Sequence, residues 1–225
     1  MRLLAAADIH GARDIYEWLQ EQVREQRAEL VVLAGDLSAS SWDEKEQRDE
    51  ARTLISLFKR FPATTLYLMG NDDFFALDYE DEQVKPLHGR RLDFGGYRFI
   101  GYQYTTPFIG SMHEKPEEGI GKDLKTLESL LDNRTVFVTH GPAFGVLDRG
   151  FTGEHVGSHS LAALLTRRPV LAHIHGHIHQ CFGREGNHFN VAAAGRRRAV
   201  LIELPGLSHQ VLTDQGTGTS TAESG

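Results

Sequence analysis

Hydrophobic residues in this chain gather into short unbroken runs, and each run ends on a polar, chemically capable side chain. Leu3 to Ala7 stops at Asp8 and His10, Leu30 to Ala34 at Gly35-Asp36, and Thr65 to Met69 at Gly70-Asn71-Asp72. Thr135 to Thr139 stops at His140, and Val170-Leu171-Ala172 runs into the alternating histidines His173, His175, His177 and His179. Runs of this kind predict strands of an open α/β sheet buried on both faces, and such sheets form their sites outside the carboxyl ends of the strands. The polar clusters are therefore expected on one rim.

Between the runs the apolar spacing changes to threes and fours. Ile15, Trp18, Leu19 and Val23 mark a helix over Asp14 to Arg27, and Ala51, Leu54, Ile55 and Phe58 mark another over Asp43 to Lys59. Two shorter ones are predicted over Asp123 to Leu131 and Ser158 to Thr166. Strand, helix, strand is the βαβ unit of a parallel sheet. Leu92 to Phe94 and Tyr97 to Tyr102, around Gly95-Gly96, read as a hairpin, and Phe189 to Ala192 followed by Ala199 to Leu204 reads as a second strand pair. The expected fold is a two-sheet α/β sandwich flanked by helices, with the N-terminal strands in one sheet and the later hairpins in the other.

At 225 residues, 40% hydrophobic and 24% charged, the chain suits one ordinary globular domain, expected over residues 1–213. Residues 214–225, from Asp214 to Gly225, hold almost nothing to bury and read as a disordered tail. No stretch has the length to span a bilayer, and the slightly leader-like start is better read as the first strand. The single cysteine, Cys181, excludes an internal disulfide, suits a reducing cytoplasm and reads as a small buried residue on a strand. A formal charge of −7, with only Arg196-Arg197-Arg198 locally basic, argues against an extended nucleic-acid surface and hence against a nuclease. Small anionic substrates stay open if bound metal supplies the positive charge.

Singly, each polar cluster is ordinary: Asp-x-His occurs by chance, Gly-Asp forms turns, and Asn-Asp-Asp caps helices. In order, Asp8-x-His10, Gly35-Asp36, Gly70-Asn71-Asp72, His140-Gly141-Pro142 and Gly176-His177-x-His179 resemble the signature of the calcineurin-like metallophosphoesterase superfamily. That signature is D-x-H, GD, GN-H-[DE], a lone histidine after a strand, and G-H-x-H. His155-Val156-Gly157-Ser158 followed by Leu161 is similar to a segment of small, uncapped bacterial and archaeal members.

The resemblance implies two divalent transition metals, manganese, iron or zinc. Asp8, His10 and His179 would hold the first, and Asn71, His140 and His177 the second, with Asp36 bridging. It further implies a phosphohydrolase in which a metal-bridging hydroxide attacks a small phosphoester in line, and the lack of a long capping insert favours phosphodiesters over monoesters. His155 is a candidate substrate contact. His173 and His175 are expected to play a structural role behind the ligands, His159 is left open, and Asp148 reads as a loop residue. One block departs from the pattern, since Asp72 stands where the family's proton-donating histidine usually follows Gly-Asn. Asp72 is thus either a general acid with a raised pKa or dispensable for proton transfer. Asp73 matches the acidic position and would support a histidine or a backbone group. The alternative function is a weakly active or inactive metal- or nucleotide-binding module that regulates a partner.

Overall fold

In the computed structural model, residues 1–214 and 216–218 are described. In chain order the elements are β1 (Arg2–Ala6), α1 (Arg13–Gln26), β2 (Leu30–Ala34), α2 (Glu44–Phe58), β3 (Thr64–Leu68), β4 (Val84–Pro86), β5 (Arg91–Phe94) and β6 (Tyr97–Tyr102). Then come α3 (Glu117–Leu127), β7 (Thr135–Thr139), α4 (His159–Arg167), β8 (Ala172–His175), β9 (Gly183–Glu185), β10 (His188–Asn190), β11 (Arg198–Glu203), β12 (Ser208–Thr213) and β13 (Gly216–Gly218). They form two mixed sheets, ordered β13-β12-β11-β1-β2-β3-β4 and β5-β6-β7-β8-β10-β9.

The runs are unbroken because alternate residues of each inner strand meet two different layers. Leu3, Ala5, Leu30, Val32, Leu66 and Leu68 face Phe99, Val136, Val138 and Ile174 of the other sheet. Leu4, Val31, Leu33 and Tyr67 pack outward on Trp18, Leu19, Leu54 and Phe58 of α1 and α2. On the far side Ile100, Tyr102 and Phe137 pack on Ile120, Leu124, Leu161 and Leu164 of α3 and α4. The layers are thus helix, sheet, sheet, helix. Within each sheet the site-bearing strands run parallel, β1 beside β2 and β2 beside β3, β7 beside β8.

Three expectations change. The late strands do not pair with each other: β10 lies beside β8 in the second sheet, whereas β11 crosses to the first and pairs antiparallel with β1 and β12. Both strands are largely buried, around Phe189 in β10 and Ala199 to Ile202 in β11, and the pattern alone could not say which sheet each completes. The third helix begins at Glu117 rather than Asp123, because Gly119 and Gly121 break its pattern in sequence while Gly121 lets α3 lie close to Ser160 of α4. Within the expected tail, Gly216–Gly218 extends the sheet beside β12, which backbone hydrogen bonds permit without apolar side chains. Positions 215 and 219–225 lie outside the described residues. Among the described residues no helix is long and apolar enough to cross a membrane.

Candidate metal centre

The parallel strands bring their carboxyl ends to one rim, and the loops that leave them are laced together. Asp8 N donates to the Gly35 carbonyl at 2.9 Å, and Ile9 N and His10 N donate to the Asp36 carbonyl at 2.8 and 3.0 Å. The two sheets are joined there as well, since His140 Nδ1 donates to the Ala34 carbonyl at 2.8 Å and Gly176 N to the His140 carbonyl at 3.0 Å. A side chain on Gly35 would place its Cβ 2.3 Å from the His140 ring, and one on Gly70 would lie 2.2 Å from the Asp36 carboxylate. These glycines are required by close approach.

All seven expected ligands converge. One ligand atom each of Asp8, His10 and His179 lies within 4.8 Å of the others, and the same holds for Asp36, His140 and His177. Asn71 joins the second group, its Oδ1 lying 3.1 Å from His140 Nε2. In the first group His179 Nε2 stands 3.0 Å from Asp8 Oδ1, while the Asp8 carboxylate also accepts from His177 N.

The donor chemistry of this arrangement calls for a cation. Because the Nδ1 hydrogen of His140 is committed to Ala34, a neutral ring turns the Nε2 lone pair on two acceptors, Asn71 Oδ1 and Asp36 Oδ2 at 3.2 Å. Only a further proton or a metal ion reconciles three lone pairs facing one another. In the ion-free protein a proton does so: burial works against charge on His140, yet the Asp36 carboxylate outweighs it and raises the histidine pKa well above its ordinary value. Burial likewise opposes charge on Asp36, which the facing His140 nonetheless holds well below the usual carboxylate range. His177 differs, because burial depresses it to about 4 and leaves a neutral imidazole at neutral pH. Neutral nitrogens mixed with carboxylates and an amide oxygen suit manganese, iron or zinc.

The two acidic residues after Asn71 have separate tasks. Asp72 Oδ2 accepts from His10 Nδ1 at 2.9 Å, which raises the His10 pKa through that hydrogen bond. A carboxylate on the second nitrogen fixes the tautomer of a metal-binding imidazole and strengthens it as a ligand. Asp73 is fully buried and accepts from Leu37 N, Ser38 N, Ser38 Oγ and Gly70 N at 2.6 to 2.9 Å. It ties the loop carrying Asp36 to the loop carrying Asn71. Of the two supports foreseen for Asp73, the structure shows the backbone one.

The remaining candidates lie elsewhere. His155 does not line the cleft over the metal groups; its Nδ1 donates to the buried Asp148 at 2.5 Å and its ring packs against Phe144. Asp148 also accepts from Gly145 N and Gly157 N, so this pair braces its own loop. His159 stacks on Phe144 at 3.8 Å. His173 is buried against Thr139 and His188, and His175 donates from Nδ1 to the Gly176 carbonyl, both behind the rim. Cys181 is half-buried in a 3-10 turn, His179–Cys181, rather than on a strand, and its thiol faces the Arg149 carbonyl. The turn replaces the expected strand because the chain bends at His177, whose φ is 70°.

The cleft over the two groups has a volume of about 780 Å³. His10, Asp36, Asn71, Asp72, His177 and His179 form its floor, while Phe108, Ile109 and Phe151 stand at its mouth. Sequence reasoning passed over these three residues, although large apolar side chains flanked by Pro107, Gly110 and Gly150, outside any periodic pattern, were the available signal.

The calcineurin-like phosphoesterase profile matches residues 1–181 of the chain. No curated protein is a significant match in sequence. Among solved structures, the protein TT1561 of Thermus thermophilus superposes with a TM-score of 0.68 at 16% identity, over 94% of this chain and 98% of that one. A dimetal phosphatase from Danio rerio superposes with a TM-score of 0.62 at 13% identity, over 97% and 96%. At such identities the superpositions speak for the fold.

Two outcomes follow from this geometry. A metal entering the Asp36, Asn71, His140 and His177 group must displace the His140 proton, so its apparent affinity rises with pH by roughly tenfold per unit through neutrality and levels off above the raised His140 pKa. Calorimetric titration with manganese in buffers of different ionisation enthalpy measures the released proton, and a pH-independent affinity contradicts the assignment. Asp73→Ala strands three buried N–H groups, and chemical denaturation is expected to show a loss of about 3 kcal/mol or more.

Proposed function

The chain belongs to the calcineurin-like phosphoesterase family, and on that footing we propose that it hydrolyses phosphodiesters with the help of two divalent transition ions at the rim. Asp8, His10 and His179 would hold one ion and Asn71, His140 and His177 the other, with Asp36 shared between them. Ions in this donor set supply Lewis acidity toward phosphoryl oxygens and lower the pKa of water. The observation that carries the reading is the opposition of the His140 Nε2 lone pair to two oxygen acceptors.

The protein's own groups favour a substrate of low charge. Among the described residues lining the cleft there is no lysine or arginine, whereas Asp72 and Glu154 add negative charge beside Asp36. Each extra charge on a substrate meets repulsion that only the ions offset, so a diester monoanion is preferred to a monoester dianion. Asp72 is spent on His10 and is a positioning residue rather than the general acid. Without a proton donor at that place, activated leaving groups are favoured.

With manganese added, bis-(p-nitrophenyl) phosphate should be hydrolysed with higher kcat/KM than p-nitrophenyl phosphate. Turnover of neither ester beyond that of metal in buffer would instead favour a binding module. Asp72→Asn should weaken metal affinity by roughly tenfold while keeping most of the turnover at saturating metal. A dead Asn variant with full metal occupancy would make Asp72 the acid.

A further inference from the structure

Large apolar side chains are exposed at Trp42, Phe108, Ile109, Met112 and Phe151, the last with 91% of its surface in solvent. Three of them, Phe108, Ile109 and Phe151, line the same cleft as the ligand groups. Exposed apolar patches of this kind mark binding surfaces.

Both segments are held in shape. Phe108 N, Ile109 N and Gly110 N all donate to the Glu114 carboxylate, at 2.8, 2.8 and 2.9 Å, so the backbone that presents Phe108 and Ile109 is fixed from behind. Phe151 stands on a turn closed by Gly150 N to the Glu154 carbonyl at 2.8 Å and Gly153 N to the Gly150 carbonyl at 3.1 Å. The apolar surface also reaches the metal groups directly, since the Phe108 ring stands edge-on to His177 at a centroid distance of 5.5 Å.

We propose that Phe108, Ile109 and Phe151 form a subsite for an aromatic or similarly apolar ester group of the substrate. The inference rests on the phosphoesterase reading of the site and deepens it. A phosphorus atom held over His177 would carry its ester group onto the Phe108 ring, where ring contacts are favourable. The space of about 780 Å³ admits a phosphate with one or two rings. Among the described residues the lining has no lysine or arginine, so a second phosphate on that group would meet no cationic side chain of that kind there. The substrate class is a singly charged phosphodiester with at least one flat apolar arm.

The test keeps the departing group constant and varies the other arm. Phenyl p-nitrophenyl phosphate and methyl p-nitrophenyl phosphate release the same nitrophenolate, and the phenyl ester is expected to have roughly tenfold higher kcat/KM. In Phe108→Ser and Phe151→Ser, surface changes that leave the core untouched, that ratio should fall several-fold. Calorimetric titration of diphenyl phosphate and dimethyl phosphate supplies a readout independent of turnover, with tighter binding and a negative heat-capacity change expected for the diphenyl compound. If neither ester is hydrolysed, the phosphoesterase reading fails and the calorimetric preference still decides the subsite. Equal binding, or no binding, of the two phosphates overturns the proposal. Capture of phosphatidylcholine vesicles together with equal phosphate binding would assign the lip to a lipid surface and overturn it as well.

Discussion

Lone pairs that face one another without a proton between them are the constraint on which this structure turns. Asp36, Asn71 and His140 aim acceptors at a common point, and in the other group His179 Nε2 meets the Asp8 carboxylate. Such an arrangement repels itself unless something positive occupies the middle. In the ion-free protein a proton serves, as the raised pKa of His140 expresses. With metal present the same geometry becomes a ligand set, and proton and metal compete for one place.

Holding that geometry requires a backbone that is itself unfavourable. Asp8, His10, Asp36 and His177 have φ values of 60°, 51°, 52° and 70°, a left-handed conformation that non-glycine residues resist by about 1 kcal/mol or more each. The strain sits at the ligands, and the surroundings enforce it. Paired loop backbones, the buried Asp73 with its four donors, and the glycines at Gly35 and Gly70 leave the chain no other path. The buried strands beneath supply the rigid platform, each packed on two sides, so that side chains from five strand ends and both sheets meet within a few ångströms.

Much of this was legible in the sequence, for a physical reason. Strands covered on both faces must be apolar throughout, so their ends are abrupt, and the first polar residue after each end marks the rim. Asp8, Asp36, Asn71 and His140 could be read in that way, whereas His177 was picked out of four alternating histidines only by the family resemblance. Partnerships across space could not: the pairing of Asp72 with His10, of Asp148 with His155, and of Asp73 with the loop after β2 depends on which loops touch. His155 shows the cost of reading position alone, since it belongs to a brace and not to the cleft. Sheet membership of β10 and β11 was hidden for a related reason, because the residues within each strand do not show which neighbouring strand it will pair with.

Metal content is the most direct test of the account. Elemental analysis of protein purified without chelator should find about two transition-metal ions per chain, and Asp36→Asn, which removes the carboxylate shared by both groups, should lose most of both. A folded wild-type protein that takes up no transition metal at any pH would contradict the account at its centre.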